Sequence, residues 1–118
     1  MTTAAASPAS RRELSRRARD AFPPMGVFAI RNLASGRVRV KASKNAPGAI
    51  ARIRFELRLG THPDKALQAE WNALGEGGFS MEVLELVRQR QDAAFDYAAE
   101  LELLEQLYRS ELLPASAT

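Results

Sequence analysis

Apolar positions along the chain change their period several times, and each change marks an element. Val27 to Asn32 is a short, mostly apolar run of strand length, and from Arg37 to Ala42 apolar and basic residues alternate strictly. A strand puts successive side chains on opposite sides, so Val38, Val40 and Ala42 share one side and Arg37, Arg39 and Lys41 the other. Ala34-Ser35-Gly36 between the two runs is a hairpin-length connection containing glycine. Pro47 opens a helix predicted to reach Leu59, with Gly60 as its stop. Its apolar stripe is Ile50, Ile53 and Leu57, while Arg54 and Arg58 share another side. Thr61-His62-Pro63-Asp64 reads as the entry to a second helix, with Thr61 as N-cap and Asp64 in the first turn. Leu67, Trp71 and Leu74 then recur at helical spacing up to Gly75. Phe79 to Leu86, after the flexible Gly77-Gly78, is a third strand. The polar Arg88–Asp92 leads to a last helix, from about Ala94 to Leu112, with Tyr97, Leu101, Leu104, Tyr108 and Leu112 as its stripe.

The ends have less to bury. Residues 1–10 are of low complexity and read as a disordered tail, as do residues 114–118. Between the tail and the first strand, 11–24 is predicted to be a helical extension capped by Ser10 and ended by Pro23-Pro24. The remainder, 25–113, is one domain of the α+β class: a small three-stranded antiparallel sheet, made of the hairpin and the third strand, covered by helices.

Composition narrows the chemistry. There is no cysteine and one histidine, His62. That excludes a disulfide framework, a thiolate zinc site, a histidine cage and a Cys/His nucleophile pair. No segment approaches the ~18 apolar residues of a membrane span, and no leader pattern opens the chain, so a cytoplasmic location and no membrane partner are expected. The net charge of +3 is unevenly divided: residues 1–65 carry 14 Lys/Arg against 4 Asp/Glu, and residues 66–118 carry 3 against 10. A basic half suits a polyanion. Since 14 of the 17 cations are arginine, a genome favouring Arg codons accounts for the same excess without any partner. The alternating row of Arg37, Arg39 and Lys41 needs water or an anionic ligand, because an unpaired charge is costly to bury.

The stretch Met25–Asn45, MGVFAIRNLASGRVRVKASKN, resembles the opening hairpin of the GIY-YIG nuclease domain. Gly26-Val27-Phe28 stands where that family has Gly-Ile-Tyr, and Arg39-Val40-Lys41 where it has Tyr-Ile-Gly. The resemblance continues through Arg54–Leu59, Lys65–Gln68 with Trp71-Asn72, Phe79–Glu85 and Leu101–Tyr108. It implies the same sheet-and-helix architecture. In active members it implies hydrolysis of a DNA phosphodiester: a tyrosine or its neighbour activates water, an arginine stabilises phosphate charge, and a glutamate holds Mg²⁺ or Mn²⁺.

Carried over position by position, the resemblance puts Phe28, which lacks a hydroxyl, at the first tyrosine. Arg39, which cannot lose its proton at neutral pH, stands at the second, and Lys41 at a glycine. Ala49 takes the usual arginine position and Ile53 a histidine position. Arg52 is the nearest substitute, about 60° round the helix from Ala49. Glu105 remains at the metal position. The expected function is therefore a catalytically impaired relative without a cofactor. It would bind nucleic acid, with DNA the first expectation, through Arg37, Arg39, Lys41, Arg52, Arg54 and Arg58. One alternative is a metal-dependent endonuclease working through Arg52 and Glu105. Another is a structural or protein-binding module presenting its acidic, leucine-rich last helix to a partner the sequence does not specify. Trp71 reads as a core anchor and His62 as a turn residue.

Overall fold

The computed structural model describes residues 22–113; the expected tail, nearly all of the helical extension and the C-terminal end lie outside them. The described elements run β1 Gly26–Asn32, β2 Val38–Ser43, α1 Ala46–Leu59, α2 Lys65–Leu74, a 3₁₀ turn at Glu76–Gly78, β3 Phe79–Leu86 and α3 Tyr97–Leu112. The strands form one sheet in the order β2-β1-β3, with both pairings antiparallel. The predicted three-stranded α+β arrangement is the observed one.

Alternation along β1 divides the core in two. Phe28 and Ile30 point to one face, where they meet Ile53 and Leu57 of α1, Leu67 and Trp71 of α2, and Phe79. Val27 points to the other, where Met25, Val87, Leu101 and Leu104 close over it. Hence α1 and α2 cover one face of the sheet and α3 covers the opposite one. A central strand buried on both sides must be apolar throughout, and β1 is buried at every residue except Arg31. Trp71 is the anchor its spacing predicts, 7% exposed and stacked on Phe79 at 5.6 Å.

Local chemistry sets the element ends. The Asn45 side chain accepts from the Gly48 backbone N–H at 3.0 Å, and Gly60 closes α1 in the left-handed region at φ 79°. Two expected boundaries move. Asp64, not Thr61, is the N-cap of α2: its carboxylate accepts from the Leu67 N–H at 3.1 Å, while the Thr61 hydroxyl turns back to the Glu56 carbonyl. Helix α3 begins at Tyr97 behind the cap Asp96, later than Ala94, because Asp92 draws the Ala94 and Phe95 N–H groups into a turn.

Gly26 has a packing reason to be glycine. A Cβ there would run into the Glu85 carbonyl, where β3 bulges: Val27 faces Glu85 while Phe28 faces Val83. The first glycine of the triplet thus serves close strand approach. Among the described residues no helix is long and apolar enough to cross a membrane.

Candidate functional site at the edge strand

β2 lies at the edge of the sheet, and its basic row faces the same side as Phe28 and Ile30, since Arg39 is paired with Ile30 and Lys41 with Phe28. The row is not left to solvent or to a ligand alone. Arg39 donates Nη1 to Glu70 Oε1 at 3.1 Å and Nη2 to Oε2 at 3.0 Å, a two-pronged pair that a planar guanidinium makes well. Its Nε lies 3.5 Å from Asp64 Oδ2. The side chain of Arg39 is 10% exposed and that of Glu70 23%. The expectation of water or an external anion changes accordingly at this residue: the anion is supplied by α2 of the chain itself.

Further groups complete the network. Asn32 donates its Nδ2 to Glu70 Oε1 at 3.0 Å, while its Oδ1 accepts from the Ala34 and Ser35 N–H groups of the hairpin turn. Arg37 reaches Glu70 Oε2 at 3.4 Å from a more exposed position. The hydrogen bond from Arg39 outweighs partial burial and, with Asn32 and Arg37, holds the Glu70 carboxyl at about 2, well below its ordinary 4.5. Asp64 is also held low, first by its bond from the Leu67 N–H and also by the nearby charges of Arg39 and Lys41.

Beside this network a cavity of about 360 Å³ opens along β2, lined by Arg37, Arg39, Lys41, Asp64, Arg109 and Leu113 among others. Arg109, on the last turn of α3, donates to the Val40 carbonyl at 3.0 Å and so covers part of the open edge. It also donates to Glu105 Oε2, one helical turn back, at 3.0 Å.

The sequence-nominated residues are dispersed over the fold. Phe28 and Ile53 are buried in the α1/α2 core, with Ala49 packed against it, so these positions hold apolar contacts and no polar side-chain atom. Arg52 is exposed on α1, whereas Glu105 belongs to α3 on the other face of the sheet; no hydrogen bond or ion pair joins them. Arg58 is bound to Glu76 on the surface, and Arg54 lies near that same carboxylate. His62 is buried in the turn before α2, its Nδ1 accepting from the Asp64 N–H at 3.0 Å.

The divalent cation implied by the resemblance does not fit the groups around Glu105. Its carboxylate already shares an oxygen with the Arg109 guanidinium, a positive charge where a cation would sit. Among the described residues no three His, Asp or Glu side chains gather as a ligand set. One carboxylate completed by water is an ordinary Mg²⁺ shell, so the obstacle at Glu105 is the Arg109 charge on its oxygen.

Sequence reading missed Glu70, Asp64, Asn32 and Arg109. The signal that could have found the first two is Arg39 itself. An arginine in the middle of a strand that pairs with a fully buried neighbour demands a carboxylate, and α2 carries Glu70 directly beside the core anchor Trp71.

No protein-family model matches the chain, and no curated protein matches it. Among solved structures, the catalytic domain of the homing endonuclease I-TevI is similar, with a TM-score of 0.59 and 25% identity over 75% of this chain and 87% of that one. A point mutant of the same catalytic domain gives a TM-score of 0.58 and 23% identity, over 75% of this chain and 82% of that one. The fold is thus GIY-YIG-like, as the hairpin resemblance implies.

Proposed function

We propose that this GIY-YIG-like domain binds the phosphate backbone of a nucleic acid, duplex DNA first, and does not hydrolyse it. The observation that carries the reading is the state of the two tyrosine positions. Phe28 is 1% exposed and has no ionisable atom, and Arg39 is committed to Glu70. Neither side chain can take a proton from water at neutral pH. The Arg109 guanidinium already engages one oxygen of the Glu105 carboxylate.

Binding rests on cations that remain available. Lys41, Arg52 and Arg54 make no ion pair with a described carboxylate, whereas Arg39 is enclosed, and Arg37 and Arg58 are held by Glu70 and Glu76. Lys41 stands on the rim of the edge cavity together with Arg37 and Arg109. Lys41, Arg52 and Arg54 can neutralise phosphates without reading bases, so affinity falls steeply with salt as counterions are released.

Two assays on the full chain test this. Anisotropy of a labelled duplex should show binding at ~50 mM salt that weakens at least tenfold by ~200 mM. Supercoiled plasmid incubated with Mg²⁺ or Mn²⁺ should stay uncut. Flat or absent binding at low salt defeats the binding half. Metal-dependent nicking that disappears in Glu105→Ala defeats the other half and restores the endonuclease reading.

A further inference from the structure

Two pairs of large apolar side chains stand in solvent at i, i+4 spacing, one pair on each of the helices that cover opposite faces of the sheet. On α1 they are Phe55 and Leu59, 59% and 60% exposed; on α3 they are Leu103 and Leu107, 51% and 50% exposed. Side chains four apart on a helix lie one above the other, so each pair makes a continuous patch. Neither patch belongs to the core. Ile53 and Leu57 are the buried side of α1, and Leu101 and Leu104 that of α3.

The surroundings of the two patches carry opposite charge. Helix α1 holds Arg52, Arg54 and Arg58 against Glu56, and with Glu76 bound to Arg58 the net is +1; α3 holds Glu100, Glu102, Glu105 and Glu111 against Arg109, and with Arg90 bound to Glu100 the net is −2. Arg52 lies three residues before Phe55 on the solvent side. Glu100 and Glu111 bracket Leu103 and Leu107 at three- and four-residue steps. Arg90 meets this acidic side at Glu100, at 3.5 Å.

We infer that the α1 patch of one copy docks on the α3 patch of a second copy of this chain, giving head-to-tail self-association. A symmetric α1–α1 contact would bring Arg52 of both copies together, with Arg58 already held by Glu76, and a symmetric α3–α3 contact would oppose Glu111; like charges across an interface disfavour both. The crossed contact matches apolar to apolar and basic to acidic. Because it joins two different surfaces on opposite sides of the sheet, each added copy presents a fresh patch, and assembly continues or closes into a ring. This inference is independent of nucleic acid, which is left out of its test.

Sedimentation velocity of the full chain over a concentration series is the measurement. The wild type should show a weight-average mass rising beyond a dimer with concentration. The apparent dissociation constant should rise at least threefold between ~50 and ~500 mM salt, as exposed charges are screened. Phe55→Glu and Leu107→Lys each remove one patch at an exposed position, and circular dichroism checks that both keep the fold. Each variant alone should be monomeric, yet an equimolar mixture should form a 1:1 dimer that grows no further, since one intact α1 patch meets one intact α3 patch. A wild type monomeric at all concentrations overturns the inference. So does a mixture with no dimer, association that survives either substitution, or association unmoved by salt.

Discussion

Two arginine–glutamate pairs touch the same edge strand, and they differ in almost everything but composition. Arg39–Glu70 joins a strand to a helix, is two-pronged, and has Asn32 and Asp64 at its sides, with the two side chains 10% and 23% exposed. Arg109–Glu105 lies within one helix, is a single contact, and has side chains 50% and 28% exposed. Coulomb attraction is strong where water is excluded and weak where it is not. The first pair therefore fixes the position of a cation and withdraws it from external ligands. The second leaves its arginine, half exposed, within reach of a phosphate. Charge count alone would treat the two arginines alike; burial separates them.

The sharpest way to break that contrast is to remove one carboxylate from each pair. Glu70→Gln keeps the shape but removes the two-pronged partner of an arginine that is 10% exposed, leaving it Asp64 alone at 3.5 Å. Breaking an enclosed pair in this way costs about 3 kcal/mol. Glu105→Gln costs no more than about 0.5 kcal/mol, the scale of an exposed i,i+4 pair. Urea denaturation of the two variants beside the wild type measures both, and equal losses would mean that the enclosed pair has no special weight.

Acid probes the same pair without mutation. Glu70 titrates at about 2 in the folded chain against an ordinary 4.5. Its folded value is depressed, so its contribution is fully present above about 4.5 and drains away as pH falls through about 2. Solvent reaches part of this site, so screening holds the contribution below the full equivalent of the shift. Stability measured between these pH limits should fall more steeply in wild type than in Glu70→Gln. Parallel curves would remove Glu70 as the acid-sensitive group.

How far the sequence can be read follows the same division between local and non-local causes. β3 is legible at Phe79–Leu86 because glycines precede it and a polar segment follows, both local signals. The hairpin is legible because Gly36 supplies a positive φ at the turn. The start of α3 is not, because capping by Asp96 competes with a turn set by Asp92, and spacing alone cannot rank two aspartates. The Arg39–Glu70 pair spans 31 residues. Alternation in β2 places Arg39 on a side, but not what α2 lays over it. Resemblance to a nuclease hairpin points to lost hydroxyls, not to the carboxylate that binds Arg39.

A third test moves from the lock to the rim. Lys41 lines the cavity and makes no ion pair with a described carboxylate. Lys41→Glu should lower duplex affinity about tenfold at ~100 mM salt and flatten the salt slope by about one, as loss of one phosphate contact and addition of a repelling charge require. Stability should change by less than ~0.5 kcal/mol, the range of exposed substitutions. If affinity holds while that of Arg39→Met collapses, the enclosed arginine would be the phosphate ligand after all, and the contrast between the pairs would reverse.

The smallest effect expected is the most discriminating for Glu105. Its carboxylate holds Arg109, whose guanidinium also grips the Val40 carbonyl at the cavity rim. Replacing Glu105 by Gln keeps the grip on β2 and removes the negative charge beside Arg109. Duplex affinity should then rise two- to threefold, about 0.5 kcal/mol, and the salt slope should steepen slightly. A metal ligand would behave in the opposite way: Mg²⁺ or Mn²⁺ would raise the melting temperature of the wild type through binding to the folded state, and the gain would vanish in Glu105→Gln. Thermal melts with and without the cation separate the two roles, because a carboxylate engaged with a guanidinium gives no such shift while a carboxylate that exchanges it for a metal must.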